Sequence, residues 1–325
     1  MKSLSIAIIC GGTSAEAEVS RSSANGVAEA LRRRYVNVRL LELNANLPLH
    51  LQQMRPEMVF PVLHGSPGED GTMQGFLEIL GLPYVGSGVR ASAVAMDKSI
   101  AKALFRRIGL PVCEERIFEA SQPLPEIAKQ IKSRLGDRVV IKPVGQGSGI
   151  GVTPLPNGGD AEAALQLAFR HCDQVMVEPY VMGREVTVGV LDLQGQQPQA
   201  FAPIEIRTPD GTWYDYEHRY TPGQSQHLLP APLPKALTEH LQACALAAHK
   251  VLGCSDLSRA DFIVTDDDQF RLLEVNTMPG MTPTSLYPEA AAHAGLDFEA
   301  LVDALVDSAY RRATTRATTD PSSRT

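Results

Sequence analysis

The sequence predicts an α/β protein whose N-terminal part is built around a mostly parallel sheet. Short apolar strands alternate with amphipathic helices over the first ninety residues, and glycine-containing turns follow the predicted strand ends. Hydrophobic residues make up 44% and charged residues 21% of the 325 residues, a composition that argues against disorder. At roughly 150 residues per domain, this length predicts about two domains, or three small ones.

The N-terminal elements follow one another in the order strand, helix, strand. We predict strands at 5–9, 36–43 and 58–63, and helices at 20–34 and 73–80. This alternation favours parallel strands with helices on both faces of the sheet. Ligands of such sheets bind at the carboxyl ends of strands, where this chain carries Gly11-Gly12-Thr13 and a segment from His64 to Gly71.

The pattern changes after residue 97, where strands and helices no longer alternate regularly. We predict helices at 98–108, 124–135, 235–252 and from 298 to about 310, with a strand at 138–142 and two strands around the turn 266–268. The segment 313–325 is rich in Thr, Ser and Arg, and we expect it to be disordered.

Composition and charge argue against several classes of protein. The 30 basic and 37 acidic residues give a net charge of −7, which does not favour a nucleic-acid binder. The apolar run from Leu4 to Cys10 is too short to span a bilayer, and no convincing cleavage region follows it, so we expect a cytoplasmic protein without membrane contact. Five cysteines without a CxxC pair support neither a zinc site nor a dithiol centre.

A turn with four alternating glycines, Gly145 to Gly151, follows the predicted strand that ends in Lys142. Glycine backbone can approach phosphate oxygens closely and offer N–H donors, and Lys142 could neutralise their charge. The turn lacks the G-x-G-x-x-G spacing, because Ile150 or Val152 stands where the third glycine of the motif would fall. The chain also has no P-loop, since it contains no Gly-Lys dipeptide. A plain hairpin loop is the alternative, but Lys142 favours a nucleotide.

Three oxygen-bearing side chains lie on the two strands around the turn 266–268. Glu274 and Asn276 are two residues apart and therefore share a face of one strand, while Asp261 lies on the other. Such a set suits Mg²⁺, which takes a few carboxylates together with phosphate oxygens and water. An exposed hairpin with polar outer positions is the alternative, but apolar neighbours indicate a buried strand, where a carboxylate needs a partner.

Taken together, the ordered motifs resemble those of the D-alanine–D-alanine ligase family of the ATP-grasp superfamily. The resemblance covers residues 5 to 305 and lies in these segments: Gly11-Gly12-Thr13-Ser14-Ala15-Glu16, Glu18-Val19-Ser20, His64-Gly65, Gly68-Glu69-Asp70-Gly71, Met96-Asp97-Lys98, Lys142-Pro143, Tyr214-Asp215-Tyr216-Glu217, Glu274-Val275-Asn276-Thr277 and Pro279-Gly280-Met281-Thr282.

The resemblance implies a three-domain ATP-grasp fold. Its expected parts are an N-terminal α/β substrate domain at 1–97, a central subdomain at 98–180 and a C-terminal subdomain with the metal site at 181–312, the last two clamping ATP. The implied reaction is the ATP-dependent ligation of two D-alanine molecules through an acylphosphate, for peptidoglycan precursors. A homodimer and two Mg²⁺ ions, with Mn²⁺ as a substitute, are also implied.

The resemblance further implies a role for each matching residue. The groups expected at the ATP phosphates are Lys98, Lys142 and the backbone of Gly147, Gly149 and Gly151. Those expected at the adenine and ribose are Glu178 and Glu185. The implied metal ligands are Asp261, Glu274 and Asn276.

The remaining implied residues belong to the two substrates and the reacting atoms. Glu16 would hold the first ammonium and form a triad with Ser148 and Tyr220. The cation and the oxyanion donor at the reacting centre would be Arg259 and the backbone of Gly280. The groups expected near the substrates are His64, Arg219, Ser285 and Leu286.

Three departures from the family pattern leave the amino-acid specificity open. Arg219 replaces a usual Lys, Gly149 replaces a usual Ser, and Pro179 follows Glu178 where Lys is frequent. One alternative is therefore an ATP-grasp ligase that joins another carboxylate and amine. A non-catalytic nucleotide-binding protein is a second alternative, although a binder has no need of Arg259 and the three metal ligands.

Overall fold

The computed structural model describes residues 1–209, 223–283 and 285–319. Arg219 and Tyr220, together with the motif at 214–217, lie outside the described residues. The described strands form three sheets, and the strands of each sheet come from one continuous stretch of chain. The predicted α/β fold with a parallel N-terminal sheet is confirmed.

The N-terminal sheet has the strand order β2-β1-β3, with both neighbours parallel to β1. Its residues alternate between two faces, so that Ile6 and Ile8 pack on one side and Ala7 and Ile9 on the other. Burial on both faces explains the continuous apolar run in the sequence. The elements are β1 (Lys2–Cys10), α1 (Ala17–Arg32), β2 (Tyr35–Glu42), α2 (Leu47–Met54), β3 (Met58–Pro61), α3 (Thr72–Ile79) and α4 (Val89–Met96).

The central sheet is antiparallel and has the strand order β4-β7-β5-β6. One face is covered by Ile127 and Ile131 of α6 and by Leu165 of α7, which leaves the face with Lys142 and Glu178 for the cleft described below. The elements are α5 (Lys98–Arg107), β4 (Arg116–Glu119), α6 (Leu124–Arg134), β5 (Val139–Pro143), β6 (Thr153–Leu155), α7 (Ala161–Phe169) and β7 (Gln174–Pro179).

The third sheet is also antiparallel, with the order β11-β10-β8-β12-β13 and β9 paired to β8. Alternate residues of β8 and β12, such as Val188 and Ala260, pack under helix α8, and residues between them, such as Arg259 and Asp261, line the cleft. The elements are β8 (Arg184–Asp192), β9 (Gln199–Ala200), β10 (Ile204–Arg207), β11 (Gln226–Leu228), α8 (Lys235–Leu252), β12 (Asp256–Val264), β13 (Phe270–Asn276), α9 (Leu286–His293) and α10 (Phe298–Thr319).

Helix α10 corrects the expectation of disorder from residue 313, because it continues to Thr319. Its apolar face, including Leu301 and Leu305, packs into the core of the N-terminal sheet. Its later turns are fixed by Arg312, which donates to Asp256 at 2.5 Å and to the carbonyl oxygen of Gly86 at 3.2 Å. The Thr- and Arg-rich composition gave no sign of this contact. None of the described helices combines the length and the apolarity that crossing a bilayer requires.

We predict that Arg312→Met lowers the free energy of unfolding by about 3 kcal/mol, because it leaves a buried carboxylate without its cation. Asp256 is fully buried and otherwise accepts from Ser308 Oγ at 2.9 Å and from the Gly86 amide at 2.8 Å. Urea denaturation measures the change, and the exposed neighbour Arg311→Met serves as the control. Equal stability of the two variants would contradict a structural role for the ion pair.

Candidate active site

A cleft of about 460 Å³ separates the central sheet from the third sheet. One wall carries groups of β5, β7 and the glycine turn, and the other carries groups of β8, β10, β12 and β13. The sequence-predicted residues that line it are Lys98, Lys142, Gly149, Glu178, Glu185, Arg259, Asp261, Glu274 and Leu286. Five of the seven predicted nucleotide residues and two of the three predicted metal ligands therefore line one cleft, whereas Gly147, Gly151 and Asn276 are not part of its lining.

The glycine turn beside the cleft bends through three residues in the left-handed region. Ser148, Gly149 and Gly151 have φ values of +50°, +74° and +70°. Gly149 lines the cleft, whereas a Cβ at Gly151 would lie 2.8 Å from Pro143 Cγ, so Gly151 is needed for close packing. Gly147 faces Glu16, whose Oε2 would be 3.7 Å from an added Cβ.

Helix α5 supplies two lysines to the carboxylates of the cleft. Asp97 caps its first turn by accepting from the Ser99 amide at 2.9 Å, which places Lys98 at the start of the helix. Lys98 Nζ lies 3.1 Å from Glu274 Oε2 and donates to the carbonyl oxygen of Gln146. Lys102 lies one turn later on the same face and contacts Glu178.

Glu178 is 3% exposed and is held by two cations. Lys142 Nζ lies 2.5 Å from Glu178 Oε2, and Lys102 pairs with the other carboxylate oxygen. Burial opposes the charge of Glu178, but Lys142 and Lys102 outweigh it and hold the pKa of the carboxyl below its ordinary value. Glu178 is therefore an ionised acceptor at neutral pH.

Asp261 is the centre of a hydrogen-bond network on the opposite wall. Arg259 donates to both of its oxygens at 2.8 Å, and Thr187 Oγ1 donates to Oδ1 at 2.6 Å. The strand register causes this arrangement, because Thr187, Asp261 and Glu274 are directly paired across β8, β12 and β13. A bulge after Asp261 shifts the register of the following residues.

The donor set at this wall is chemically suited to Mg²⁺. Asp261 and Glu274 provide two adjacent carboxylates, and Asn276 donates its Nδ2 to Asp261 Oδ2 at 3.0 Å, so its amide oxygen is directed to another side. Across the described part of the chain, no three His, Cys, Asp or Glu side chains form a metal cage of their own. Such a pair with an amide fits an ion that completes its shell with phosphate and water.

A second group of residues adjoins the glycine turn at the N-terminal sheet. Glu16 is buried at the N-terminus of α1 and accepts a hydrogen bond from Ser148 Oγ, so the turn contacts the N-terminal part of the chain. His64 is 6% exposed, and its Nε2 has no hydrogen-bond partner among the described residues. Burial and the charge of Arg259 lower the pKa of His64, against the opposing effect of Glu16.

The predicted substrate residues of the C-terminal part lie beside the start of helix α9. Ser285 precedes this helix, and its Oγ accepts from the Thr282 amide at 3.1 Å. A Cβ at Gly280 would lie 3.0 Å from Ser285 Oγ, so the two predicted residues are neighbours. Leu286, the first residue of the helix, is buried and lines the cleft. Arg219 and Tyr220 lie outside the described residues, so the triad with Tyr220 stays a prediction.

Comparisons with known proteins agree with this architecture. A family model described as "D-ala D-ala ligase C-terminus" matches residues 104–307, and "D-ala D-ala ligase N-terminus" matches residues 49–87. The D-alanine–D-alanine ligase of Acidiphilium cryptum is 46% identical over 299 residues, covering 91% of this chain and 95% of the relative. That of Geobacter sulfurreducens is 41% identical over 306 residues, covering 94% of each chain.

The chain belongs to the D-alanine–D-alanine ligase family. Solved structures of family members have the same fold: the ligase of Coxiella burnetii has a TM-score of 0.81 at 28% identity, covering 98% of this chain and 97% of that one. The ligase of Bacillus anthracis complexed with ATP has a TM-score of 0.81 at 30% identity, covering 97% of this chain and 100% of that one.

Two residues beside the site, Lys102 and Glu69, were not predicted from the sequence as site residues. The sequence indicates Lys102 only through its spacing of four residues from Lys98, which places both lysines on one face of the helix. That face is buried and also carries the apolar residues Ala101 and Phe105. Glu69 lies in the motif Gly68-Glu69-Asp70-Gly71, from which no role was predicted for its side chain. It accepts from the Gly65 amide at 2.8 Å, and burial together with the charge of Glu16 raises its pKa to about 8.

We predict that Glu69→Gln makes the ligand-free protein more stable by about 4 kcal/mol at pH 8 and by less than about 1 kcal/mol at pH 5. The folded pKa of Glu69 is about 8 and its ordinary value is 4.5, so ionisation costs more in the folded chain. The wild type therefore loses stability as the pH rises between these values, and the variant lacks this loss.

Urea denaturation across that pH range measures the effect. Glu126→Gln, a change at an exposed glutamate of helix α6, is the matched control. An identical pH slope in wild type and Glu69→Gln would contradict the shifted pKa.

Proposed function

We propose that this protein is an ATP-dependent ligase that joins two D-alanine molecules into D-alanyl-D-alanine, a precursor of peptidoglycan. The observation that carries the proposal is the cleft in which two lysines face two adjacent carboxylates and an arginine, within a chain of the D-alanine–D-alanine ligase family. Phosphoryl transfer needs this combination of positive groups and metal ligands.

The nucleotide lies in the cleft between the central and third sheets. Lys98 and Lys142 neutralise its phosphates, with the backbone of Gly149 beside them. Glu178 accepts from the adenine amine, and Glu185 accepts from the ribose hydroxyls. Both carboxylates line the cleft, and the complex of a Bacillus anthracis relative with ATP supports ATP as the nucleotide.

Asp261, Glu274 and Asn276 would hold two Mg²⁺ ions, which they fit by donor type and by their adjacency across two strands. When bound, such ions neutralise the charge of the transferring phosphoryl group. Arg259 holds Asp261 in place through two hydrogen bonds and lines the cleft, where the other N–H groups of its guanidinium can donate to a ligand.

The reaction has two steps. The γ-phosphoryl group of ATP moves to a carboxylate oxygen of the first D-alanine, which gives an acylphosphate and ADP. The amine of the second D-alanine then attacks the carbonyl carbon, a proton leaves the nitrogen, and the C–O bond to phosphate breaks. Arg259 and the Gly280 amide stabilise the negative charge of the tetrahedral intermediate.

The substrates occupy the space between the cleft and the N-terminal sheet. Glu16 binds the ammonium of the first D-alanine and is oriented by Ser148, while the unpartnered Nε2 of His64 provides a further polar contact. Ser285 and Leu286 lie where the carboxylate of the second D-alanine would bind, next to Gly280. Tyr220 and Arg219 would complete the site from the segment outside the described residues.

A different acceptor is the alternative function. The D-Ala:D-Ser ligase of Enterococcus faecalis has a TM-score of 0.79 at 31% identity, covering 95% of this chain and 100% of that one. Family members with another acceptor therefore share the fold. Gly149 and Arg219 are two of the positions where this chain departs from the usual family residues.

We also propose that the protein is a homodimer and that it is cytoplasmic. Light scattering of the purified protein tests the dimer.

The direct test is a product assay with ATP, Mg²⁺ and a panel of D- and L-amino acids. We expect ADP release that requires D-alanine, a dipeptide of two D-alanines as the product, and loss of turnover when a chelator removes the metal. Faster turnover with a different amino-acid pair would favour the alternative acceptor. ADP release with no amino acid able to stimulate it would contradict a ligase.

We predict that Glu274→Gln lowers kcat by at least about 100-fold, because it removes a carboxylate on which charge neutralisation depends. Thermal unfolding of the variant should stay close to wild type, since Glu274 is not part of the core. Asp266→Asn, at an exposed position in the adjoining turn, is the control and should retain full activity. Unchanged kcat in Glu274→Gln would contradict the assignment.

A further inference from the structure

The carboxylate of Glu178 has two lysine partners that differ in their access to the cleft. Lys142 lines the cleft and lies on the same face of the central sheet as Glu178, because its neighbour-but-one Val140 is paired with Glu178. Lys102 comes from helix α5, is 0% exposed and is absent from the cleft lining. One cation thus faces the ligand space, and the other lies behind the carboxylate.

Lys142 has two competing partners, Glu178 in the ligand-free structure and the phosphates of a bound nucleotide. Its Nζ is 2.5 Å from Glu178, yet the same group is the lysine available on this wall to neutralise a phosphate. If Lys142 turned toward a triphosphate, a buried Glu178 with no other partner would remain as an isolated charge. An isolated buried charge is unfavourable, and its cost would weaken nucleotide binding.

Lys102 removes this conflict. Its ammonium pairs with the oxygen of Glu178 that Lys142 does not use, so the carboxylate stays neutralised when Lys142 leaves. The two lysines repel each other while both are bound. Burial and this repulsion lower the pKa of Lys102, with Glu178 opposing them. Departure of Lys142 toward a phosphate relieves that repulsion.

We infer that Lys102 is a positioning residue for nucleotide binding: it serves as the permanent counter-charge of Glu178 and thereby releases Lys142 to the phosphates. The inference rests on the proposed function, because it requires the triphosphate to bind in this cleft. Lys102 itself touches neither nucleotide nor substrate. Its spacing of four residues from Lys98 lets one helix neutralise Glu178 and Glu274 at the same time.

The test is a double-mutant cycle on the affinity for ATP, measured by titration calorimetry with Mg²⁺ and without amino acid. Lys102→Met keeps the length of the side chain and removes its charge. We expect it to weaken ATP binding by roughly tenfold or more, because Lys142 then remains the one cation paired with Glu178 among the described residues. In steady-state assays, the KM for ATP should rise while the KM for D-alanine stays within about twofold.

The second half of the cycle separates charge from packing. In the Glu178→Gln background the amide needs no counter-charge, so adding Lys102→Met should change ATP affinity by less than about twofold. Lys129→Met, at an exposed lysine of helix α6, is the control for loss of positive charge and should bind ATP as wild type does. Equal losses from Lys102→Met in both backgrounds would overturn the inference in favour of packing.

The outcomes also separate this inference from the proposed function. Failure of the wild type to bind ATP would count against the proposed function itself. Normal ATP binding by both wild type and Lys102→Met would overturn only the role of Lys102. If Lys102→Met alone does not fold, the ATP affinities of Glu178→Gln and of the double variant are compared instead. A difference of less than about twofold supports the inference, and a tenfold weaker affinity of the double variant contradicts it.

Discussion

Pairing of carboxylates with cations is the constraint on which the cleft depends. Glu178 is paired with two lysines, Glu274 with Lys98, and Asp261 with Arg259, so each of these carboxylates already has a cation beside it in the ligand-free site. A triphosphate brings more negative charge and competes for the same cations. Binding is therefore an exchange of partners within a fixed set of charges, and the cost of leaving any carboxylate alone governs it.

The fold places these charges through strand pairing and one helix. Direct pairing across β8, β12 and β13 aligns Thr187, Asp261 and Glu274 on one face, while the opposite face packs on helix α8. Helix α5 reaches both walls because its first and second turns each present a lysine. The return of helix α10 to the N-terminal sheet ties the two ends of the chain together, since its apolar face is part of that sheet's core.

Local patterns in the sequence were sufficient to predict about half of the described elements, and the resemblance named nine of the residues that line the cleft. The helix at 235–252 agrees with the structure at both ends, because proline precedes it and glycine follows it. Long-range pairing was not accessible in this way. Lys102 on an apolar helix face, the raised pKa of Glu69 and the contact of Arg312 with Asp256 all depend on residues distant in sequence.

A crystal structure with Mg²⁺ and a non-hydrolysable ATP analogue tests the exchange of partners most directly. We expect phosphates in contact with Lys98 and Lys142, Mg²⁺ bound by Asp261, Glu274 and Asn276, and a Glu178 that has lost Lys142 and kept Lys102. A nucleotide bound with Lys142 still paired to Glu178, or one bound away from this cleft, would contradict this expectation.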